Sequence, residues 1–278
     1  MRLAISNIAW DTTEDEAIAI LLQRFWIDAI DIAPSKYFPE PANATDEDIA
    51  RVKDWWAERG IQITGMQALL FGTTGLNVFG PPDSQNAMLQ HFTAVIRIGA
   101  GLGAKRIVFG SPKNRDRSGL TDQETMDVAD FFFRRLGDIA QSYGVVICLE
   151  PTPPCYGANF MTTSSQTAEV VQRIDHPSIG MQLDTGALAI NSEDPVAVLQ
   201  SWAPLIRHIH ASEPGLLPLG DGGTDHAKVV AALKRYLPNH VVCIEMLATQ
   251  NELHEVSVER ALIVAIQLYR NDGVGADA

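Results

Sequence analysis

Four residues of types that commonly bind metal ions end or follow short apolar segments in the second half of the chain. Glu150 ends the segment VVICLE, Asp184 ends IGMQLD, His210 lies in LIRHIHA and Glu245 lies in HVVCIEM. Their separations of 34, 26 and 35 residues are each about the length of one strand and one helix. Three converging carboxylates would repel one another, whereas a divalent ion turns that repulsion into coordination. The spacing therefore predicts one divalent metal ion bound by these four side chains.

Each of these residues, taken alone, could be an ordinary polar residue at the solvated end of a strand. Their matching positions in four successive segments favour the metal site over that alternative. Oxygen-rich ligation suits manganese, magnesium or cobalt, and one histidine among three carboxylates also suits zinc. The sequence leaves the identity of the metal open.

The elements that must position these residues repeat eight times along the chain. Apolar segments of strand length alternate with segments of helical spacing, and glycine often follows the helical segments, as in ERG, LGA and SYG. This alternation predicts an α/β fold with parallel strands, a (β/α)8 TIM barrel with its active site at the carboxyl ends of the strands. The predicted strands lie at residues 3–10, 27–33, 61–70, 106–110, 145–150, 179–184, 205–211 and 240–246, and the predicted helices at residues 12–24, 46–59, 85–102, 121–143, 163–174, 194–202, 226–237 and 256–269.

A doubly wound open sheet is the competing fold. It would usually carry a G-x-G-x-x-G turn after the first strand, and NIAWDTTEDE has none. No linker or change in composition interrupts the repeat, so we expect residues 1–270 to form one barrel domain. The small, polar and glycine-rich segment 271–278 is expected to be a flexible C-terminal tail.

Composition restricts the expected partners and location. The 278 residues include 34 acidic and 21 basic side chains, and the net charge of −13 disfavours binding of nucleic acid. A small molecule is the expected partner, and a homo-oligomer is left open. Neither a signal peptide nor a membrane span of about 18 apolar residues is evident. Cys148 and Cys243 lie in apolar segments as reduced cysteines do, which favours the cytoplasm.

The motifs around the four residues resemble those of a known family. LEP at Glu150, LDTG at Asp184, HIHASEP around His210, IEM at Glu245 and the segment GDGGTD are similar to the xylose isomerase-like TIM barrel superfamily of sugar phosphate isomerases and epimerases. The resemblance covers nearly all of the chain and is closest to tagatose-3-epimerase-like and inosose-processing members. It implies that the four residues bind manganese, cobalt, magnesium or zinc, and that Glu150 and Glu245 exchange protons with the substrate.

The resemblance implies a metal-dependent isomerase or epimerase acting on a sugar or cyclitol, with or without a phosphate group. The metal would polarise a carbonyl, a carboxylate would remove the neighbouring proton, and an enediolate would follow. Ala187 stands where the epimerases usually carry histidine, and Tyr156 and Gly157 stand near where they carry glutamate. A dehydratase (lyase) acting on a keto-cyclitol or keto acid therefore remains the alternative. An apurinic endonuclease is disfavoured by the charge, and a non-catalytic binding barrel is not excluded.

Further residues are candidates for contact with the substrate, and each has an ordinary structural role as its alternative. In the loop GSPKNRDRSG, Lys113 and Arg115 could bind a phosphate or carboxylate group. His208 precedes His210 by two residues, so both should point to the same side of a strand. Glu213 and Gln67 could bind sugar hydroxyls, and Trp10 could form an apolar wall against a sugar ring.

Overall fold

The structure is a computed structural model, and it describes residues 1–270. Eight strands pair in parallel in chain order, and the first pairs with the last, so the sheet closes into a barrel. The predicted (β/α)8 TIM barrel is confirmed. The predicted tail at residues 271–278 lies outside the described residues. The strands are β1 (Leu3–Ser6), β2 (Ala29–Ile32), β3 (Gln62–Met66), β4 (Arg106–Phe109), β5 (Val146–Leu149), β6 (Ile179–Asp184), β7 (Ile206–Ser212) and β8 (Val242–Glu245).

Helices follow the strands and cover the outside of the barrel. One more helix occurs among residues 1–270 than the sequence predicted: α6 begins directly after Asp184, whose side chain accepts a hydrogen bond from the Ala187 backbone N–H and caps the helix. The helices are α1 (Asp15–Arg24), α2 (Asp46–Ala57), α3 (Pro82–Leu102), α4 (Asp122–Ser142), α5 (Ser164–Ile174), α6 (Thr185–Ile190), α7 (Pro195–Trp202), α8 (His226–Tyr236) and α9 (His254–Ala265).

Local sequence explains where these elements begin and end. Thr45 forms a capping box at the start of α2, and Thr121 forms one at the start of α4. Gly60, Gly103 and Gly144 follow helices with positive φ, as the sequence predicted. The strands are short apolar runs that are almost completely buried, as expected when helices cover a parallel sheet. None of the helices among residues 1–270 is both long and apolar enough to cross a membrane.

The register of the last three strands brings the candidate metal ligands together. Asp184 on β6 lies opposite His210 on β7, and Ser212 on β7 lies opposite Glu245 on β8. The β6–β7 register shifts by one residue between Met181 and Gln182. These pairings place the polar ends of β6, β7 and β8 at the same end of the barrel, where β5 also ends.

Candidate metal centre

The structure brings the four predicted metal ligands into one cluster. Glu150, Asp184, His210 and Glu245 each offer one ligand atom, and these atoms all lie within 4.8 Å of one another. His210 Nδ1 lies 3.5 Å from Glu150 Oε1 and 3.3 Å from Glu245 Oε2. Three of the residues are buried and Glu150 is partly exposed. Side chains from β6, β7 and β8 and the residue after β5 thus meet at one point.

Neighbouring groups fix the orientation of these side chains. Asp184 accepts hydrogen bonds from the Ala187 N–H at 2.6 Å and from the Ser212 hydroxyl at 2.6 Å, so both of its oxygens are engaged. Gln67 donates from Nε2 to Glu245 Oε1 at 2.6 Å. Such contacts hold metal ligands in place before the ion binds. Sequence analysis missed Ser212, although its position two residues after His210 on the same strand would place it on the same face.

A glycine makes room for Glu150. A Cβ atom at Gly110, just after β4, would lie 1.7 Å from Glu150 Oε2. Any larger residue at this position would displace the glutamate side chain, because real Cβ atoms never approach another atom so closely. Sequence analysis missed Gly110, which stands at the carboxyl end of a predicted strand, where the same strand-end rule would have found it.

The charges of the cluster are poorly balanced in the protein alone. Burial, together with the nearby Glu245 and Glu150, raises the pKa of Asp184 to about 8. Burial alone would lower the pKa of His210, but the charge of Glu245 and a hydrogen bond with Glu150 raise it above its usual range. A carboxylate that resists ionisation beside two others is the arrangement that a divalent cation relieves. The donor set of three carboxylates and one imidazole nitrogen therefore fits such an ion.

A cavity of about 470 Å³ opens above the cluster. Of the four candidate ligands, Glu150 and Glu245 line it, whereas Asp184 and His210 are not among its lining residues. Gln67, Lys36 and Lys113 also line the cavity and supply polar groups. Much of the remaining wall is apolar, and it includes Ile8, Ala33, Leu69, Phe71, Val108, Leu216 and Leu247. Sequence analysis missed Lys36, although it follows β2 by only four residues and so belongs to the loops at this end of the barrel.

Arg115, expected from the sequence to contact substrate, lies buried between the loops that follow β4 and β5. Its side chain is fully buried, and it donates hydrogen bonds to the backbone oxygens of Glu150 at 2.8 Å and Gly110 at 3.3 Å and to the Thr152 hydroxyl. Burial lowers the pKa of Arg115 only to about 10, so the side chain stays charged at neutral pH. The turn Pro112–Arg115 directs it inward. Arg115 therefore joins the loops after β4 and β5, and Lys113 alone of this pair faces the cavity.

Trp10 and Glu213 are likewise engaged within the protein rather than facing the cavity. Trp10 is fully buried and donates from its indole N–H to Asp15 at 2.8 Å. Glu213 accepts hydrogen bonds from the backbone N–H groups of Gly220 at 2.8 Å and Thr224 at 2.9 Å, and it lies 3.1 Å from His226 Nε2. These contacts lower the pKa of Glu213 to about 2, although burial opposes the shift. Glu213 therefore fixes the loop that contains GDGGTD.

His208 lies one layer below the metal cluster, inside the barrel. It points to the same side of β7 as His210, as predicted, and the two rings are 4.9 Å apart. Its Nε2 lies 2.7 Å from Asp31 Oδ2, and its Nδ1 lies 3.0 Å from the side-chain amide of Gln182. Both ring nitrogens are thus engaged, so His208 supports the layer beneath the cluster instead of reaching the cavity above it.

Comparison with known proteins identifies the family. Residues 27–264 match the model of the xylose isomerase-like TIM barrel family, and the chain belongs to that family. Among curated proteins it is similar to an inosose dehydratase of Lacticaseibacillus casei, with 26% identity over 48% of this chain and 47% of that protein. It is also similar to a ketose 3-epimerase of Arthrobacter globiformis, with 28% identity over 36% of this chain and 35% of that protein. The chain spans half or less of the length of these relatives.

Solved structures show the same fold over nearly the whole chain. A D-psicose 3-epimerase from Clostridium cellulolyticum H10, solved with D-tagatose, superposes with a TM-score of 0.80 and 18% identity, covering 97% of this chain and 99% of the other. A 3-keto-D-glucoside 4-epimerase from E. coli superposes with a TM-score of 0.76 and 16% identity, covering 94% and 98%. At these identities the likeness concerns the fold.

Proposed function

We propose that this protein is a divalent-metal-dependent isomerase or epimerase that moves a proton next to the carbonyl group of a sugar or cyclitol. The observation that carries the proposal is the division among the four clustered residues. Glu150 and Glu245 line the cavity, whereas Asp184 and His210 belong to the same cluster without lining it. Two carboxylates thus reach the space where a substrate would bind, and two further groups complete the set of metal ligands.

The clustered residues would have different roles in the proposed reaction. A divalent ion held by the four side chains would polarise the substrate carbonyl and acidify the neighbouring C–H bond. Glu150 and Glu245 extend from β5 and β8, which are not adjacent strands, so they approach a bound substrate from different sides. One carboxylate removes the proton and the other returns a proton to the resulting enediolate. Gln67 holds Glu245 by its hydrogen bond and so fixes the position of that carboxylate.

The cavity also indicates which substrates would bind. Lys36 and Lys113 contribute positive charge to a wall that is otherwise mainly apolar. A phosphate or carboxylate group on the substrate would pair with these ammonium groups. We therefore expect a sugar or cyclitol derivative that carries such a group to bind better than the neutral compound.

Dehydration is the second candidate function, and Lys36 favours it. Burial lowers the pKa of Lys36, and nearby carboxylates at Asp11, Asp15 and Glu14 only partly oppose this shift. A lysine that releases its proton more readily can protonate a hydroxyl group as it leaves. The enediolate that accepts a proton in an epimerase would then expel a β-hydroxyl group instead, and the proton supplied by Lys36 would let that group leave as water. The similarity to inosose dehydratases is consistent with this alternative.

Metal content and proton exchange test the proposal. We expect mass spectrometry of the purified full-length chain to find one tightly bound ion, and Glu150→Gln, His210→Ala and Glu245→Gln each to lose it or bind it more weakly. Ketoses, inososes and their phosphates would then be incubated with the protein in deuterated water. We expect deuterium to enter the carbon next to the carbonyl, at a rate that falls about 10²–10⁴-fold in Glu150→Gln and Glu245→Gln.

Glu213→Gln is the matched control, because Glu213 is a buried glutamate at the same end of the barrel that fixes a loop. It should keep the metal and exchange protons, with reduced stability only. Product analysis separates the two candidates: an epimer or isomer of unchanged mass supports proton transfer alone, and loss of 18 mass units, one water molecule, supports dehydration. A full-length chain that binds no manganese, cobalt, magnesium or zinc would contradict both.

A further inference from the structure

A second cavity, of about 690 Å³, lies at the amino ends of the strands, opposite the metal centre. It is lined by residues at the start of β3, β4 and β7, by the segment before β8, and by the ends of α2 and α3. Five of the 21 lysine and arginine residues of the chain line it, and none of the described aspartates or glutamates does. The five are Arg2, Lys53, Lys105, Arg106 and Arg207. Such a concentration of positive charge in a chain with a net charge of −13 needs an explanation.

Most of this charge is not neutralised by the protein. Arg2 pairs with Asp28 at 2.9 Å, but none of the other four has an aspartate or glutamate within 4.0 Å among residues 1–270. Arg106 donates to the Arg207 backbone oxygen at 3.0 Å, and Arg207 donates to the Pro204 backbone oxygen at 2.6 Å. These bonds orient the two guanidinium groups and leave further N–H groups available for a ligand.

The half-buried His240 lies among these cations, and their charges affect its pKa. Burial lowers the pKa of His240, and the charges of Arg106, Arg207 and His208 lower it further, whereas a hydrogen bond with the Ile206 backbone opposes the shift. Burial disfavours a charge of either sign, so only the part of the shift that Arg106 and Arg207 cause reflects positive charge that would attract an anion. His240 is therefore a natural reporter for any anion that enters the cavity.

We propose that this cavity is a second binding site, separate from the metal centre, for a small molecule that carries a phosphate group. Arg106 and Arg207 would contact the phosphate oxygens, because planar guanidinium groups match them with paired hydrogen bonds, and Lys53 and Lys105 would add charge. The apolar side chains of Ile61, Ile63, Leu102 and Val241 would pack against the organic part of the molecule. The volume lies within the range of about 300–1,000 Å³ that small-molecule sites occupy.

A concave shape favours a small molecule over nucleic acid. The cations line a cavity instead of forming a stripe along the surface, and the rest of the chain is strongly acidic and would repel a long polyanion. The proposal does not depend on the function proposed for the metal centre, since the two cavities share no lining residue.

Calorimetry with three probes at constant ionic strength tests the site. The full-length chain, saturated with magnesium, would be titrated with inorganic phosphate, adenosine 5′-monophosphate and adenosine. We expect both phosphate-containing probes to bind and adenosine not to bind. Tighter binding of the ester than of inorganic phosphate would identify an organic phosphate as the ligand, and equal binding would identify free phosphate. On binding, the pKa of His240, followed by NMR, should rise.

Arg106→Gln/Arg207→Gln should weaken binding of the phosphate probes at least about tenfold, because charge-assisted hydrogen bonds are lost. Lys53→Gln/Lys105→Gln removes two exposed charges with little risk to folding, and we expect it to weaken binding about threefold. Arg51→Gln/Lys228→Gln, which removes two exposed charges elsewhere, is the matched control and should change binding less than about twofold.

Glu150→Gln separates this site from the metal centre, and binding of the phosphate probes should survive in that variant. Loss of binding in Glu150→Gln would place the phosphate at the metal instead and overturn the proposal. Equal weakening in the control pair would show that only net charge matters, and this would overturn it too. Absence of binding up to about 10 mM phosphate or ester, or tighter binding of a DNA oligonucleotide than of the ester, would also contradict it.

Discussion

The two ends of this barrel differ in the acidic residues that surround their cavities, although the same eight strands form both. At the carboxyl ends, three carboxylates surround His210 at the candidate metal centre. At the amino ends, five cations line a cavity to which no described aspartate or glutamate contributes. The residues that flank the strands set these charges, and they can change without altering the buried apolar layer between barrel and helices. Each end can therefore acquire a ligand of its own on one scaffold.

A buried polar layer separates the two ends. His208 lines the amino-end cavity, bonds to Asp31 and lies with its ring against His210 of the metal cluster. Gln182 contacts His208 on the other side of its ring. The partners of His208 are thus all within the barrel, and His208 connects the lining of the amino-end cavity with the candidate metal cluster.

The largest effect should come from removing one carboxyl group at the carboxyl ends of the strands. Asp184→Asn removes a group whose pKa burial, together with Glu245 and Glu150, raises to about 8, and it also removes one of the proposed metal ligands. We expect the affinity for the metal to fall more than about 100-fold, beyond the usual effect of a residue that only orients a ligand. Wild-type protein should gain about 2.7 kcal/mol of stability at a metal concentration of about 100 times Kd, and the variant should gain almost none. Thermal unfolding with and without metal measures both.

Asp194→Asn is the control for this variant, because Asp194 caps the start of α7 as Asp184 caps α6. It should leave the response to metal unchanged. Without metal, Asp184→Asn should be about as stable as the wild type, since the amide oxygen can still accept from Ala187 and the amide N–H can donate to the Ser212 hydroxyl. The substitution also removes a buried carboxyl group that resists ionisation. If the metal-free variant is clearly less stable than the wild type, the protein alone compensates the clustered carboxyl groups and no ion is needed to do so.

The next prediction compares two cations at the carboxyl ends of the strands, Arg115 and Lys113. Arg115→Met should lower the free energy of unfolding by about 1–3 kcal/mol, because it leaves the buried backbone oxygen of Glu150 without its donor. The Gly110 oxygen and the Thr152 hydroxyl lose their bonds with Arg115 but keep the hydrogen bond that joins them to each other. Lys113→Met, two residues away and facing the cavity, should leave stability unchanged and raise KM for an anionic substrate. Urea unfolding and steady-state kinetics measure the two effects. Equal effects of both substitutions on KM would restore the role in substrate binding expected from the sequence.

The residues that could be predicted from the sequence are those whose positions depend on where the strands end. Glu150, Asp184, His210 and Glu245 each close or follow an apolar run, and a parallel barrel has to bring such positions together. The role of Arg115 could not be predicted in this way, because a short turn decides whether a loop side chain points into the cavity or into the protein. The strand positions of Ser212 and Gly110 could be inferred from the sequence, but the contacts that these residues make or leave room for are evident only when distances are known.

In a parallel barrel the residues at the amino ends of the strands also converge, and this would have indicated the cluster of cations at that end. Lys105 and Arg106 stand at the start of β4, Arg207 near the start of β7 and His240 two residues before β8. What the sequence did not reveal is that Lys105, Arg106 and Arg207 have no carboxylate partner among residues 1–270, since that depends on the positions of acidic residues from distant segments.

A smaller effect should follow from reversing one charge at the amino end. Lys105→Glu places a carboxylate beside Arg106 and Arg207, and we expect it to raise Tm by about 1–2 °C at low salt by reducing repulsion between like charges. The gain should vanish at about 1 M salt, where exposed charges are screened. Lys228→Glu is the contrasting control, because Lys228 already pairs with Asp194 at 3.2 Å and its reversal should lower Tm. Destabilisation by Lys105→Glu would show that the amino end has no excess of positive charge.

The smallest effect concerns two histidines, one at each end. At the rim of the carboxyl end, His254 Nδ1 lies 2.6 Å from Glu14 Oε2 and Nε2 lies 3.1 Å from the Thr249 backbone oxygen. Only the protonated ring can donate to both acceptors, and the hydrogen bond with Glu14 raises the pKa of His254 above 6.5. The pKa of His240 at the amino end is lowered below 6.5. NMR titration, with His254→Gln and His240→Gln for assignment, should find the two shifts in opposite directions.

The shift at His254 also fixes the sign of its effect on stability. Because the pKa of His254 is raised in the folded protein, its stabilisation is complete below about pH 6.5 and is lost as the pH rises through the folded-state value. The pKa of Glu14 is lowered, so its share is lost as the pH falls below about 4.5. His254→Gln should therefore lower the free energy of unfolding most between about pH 4.5 and about pH 6.5, by about 0.5 kcal/mol for a partly exposed pair. At pH well above the raised pKa the substitution should have little effect on the free energy of unfolding. A cost that instead grew with rising pH would mean that His254 is neutral when paired, and the contrast between the two ends would then not extend to their histidines.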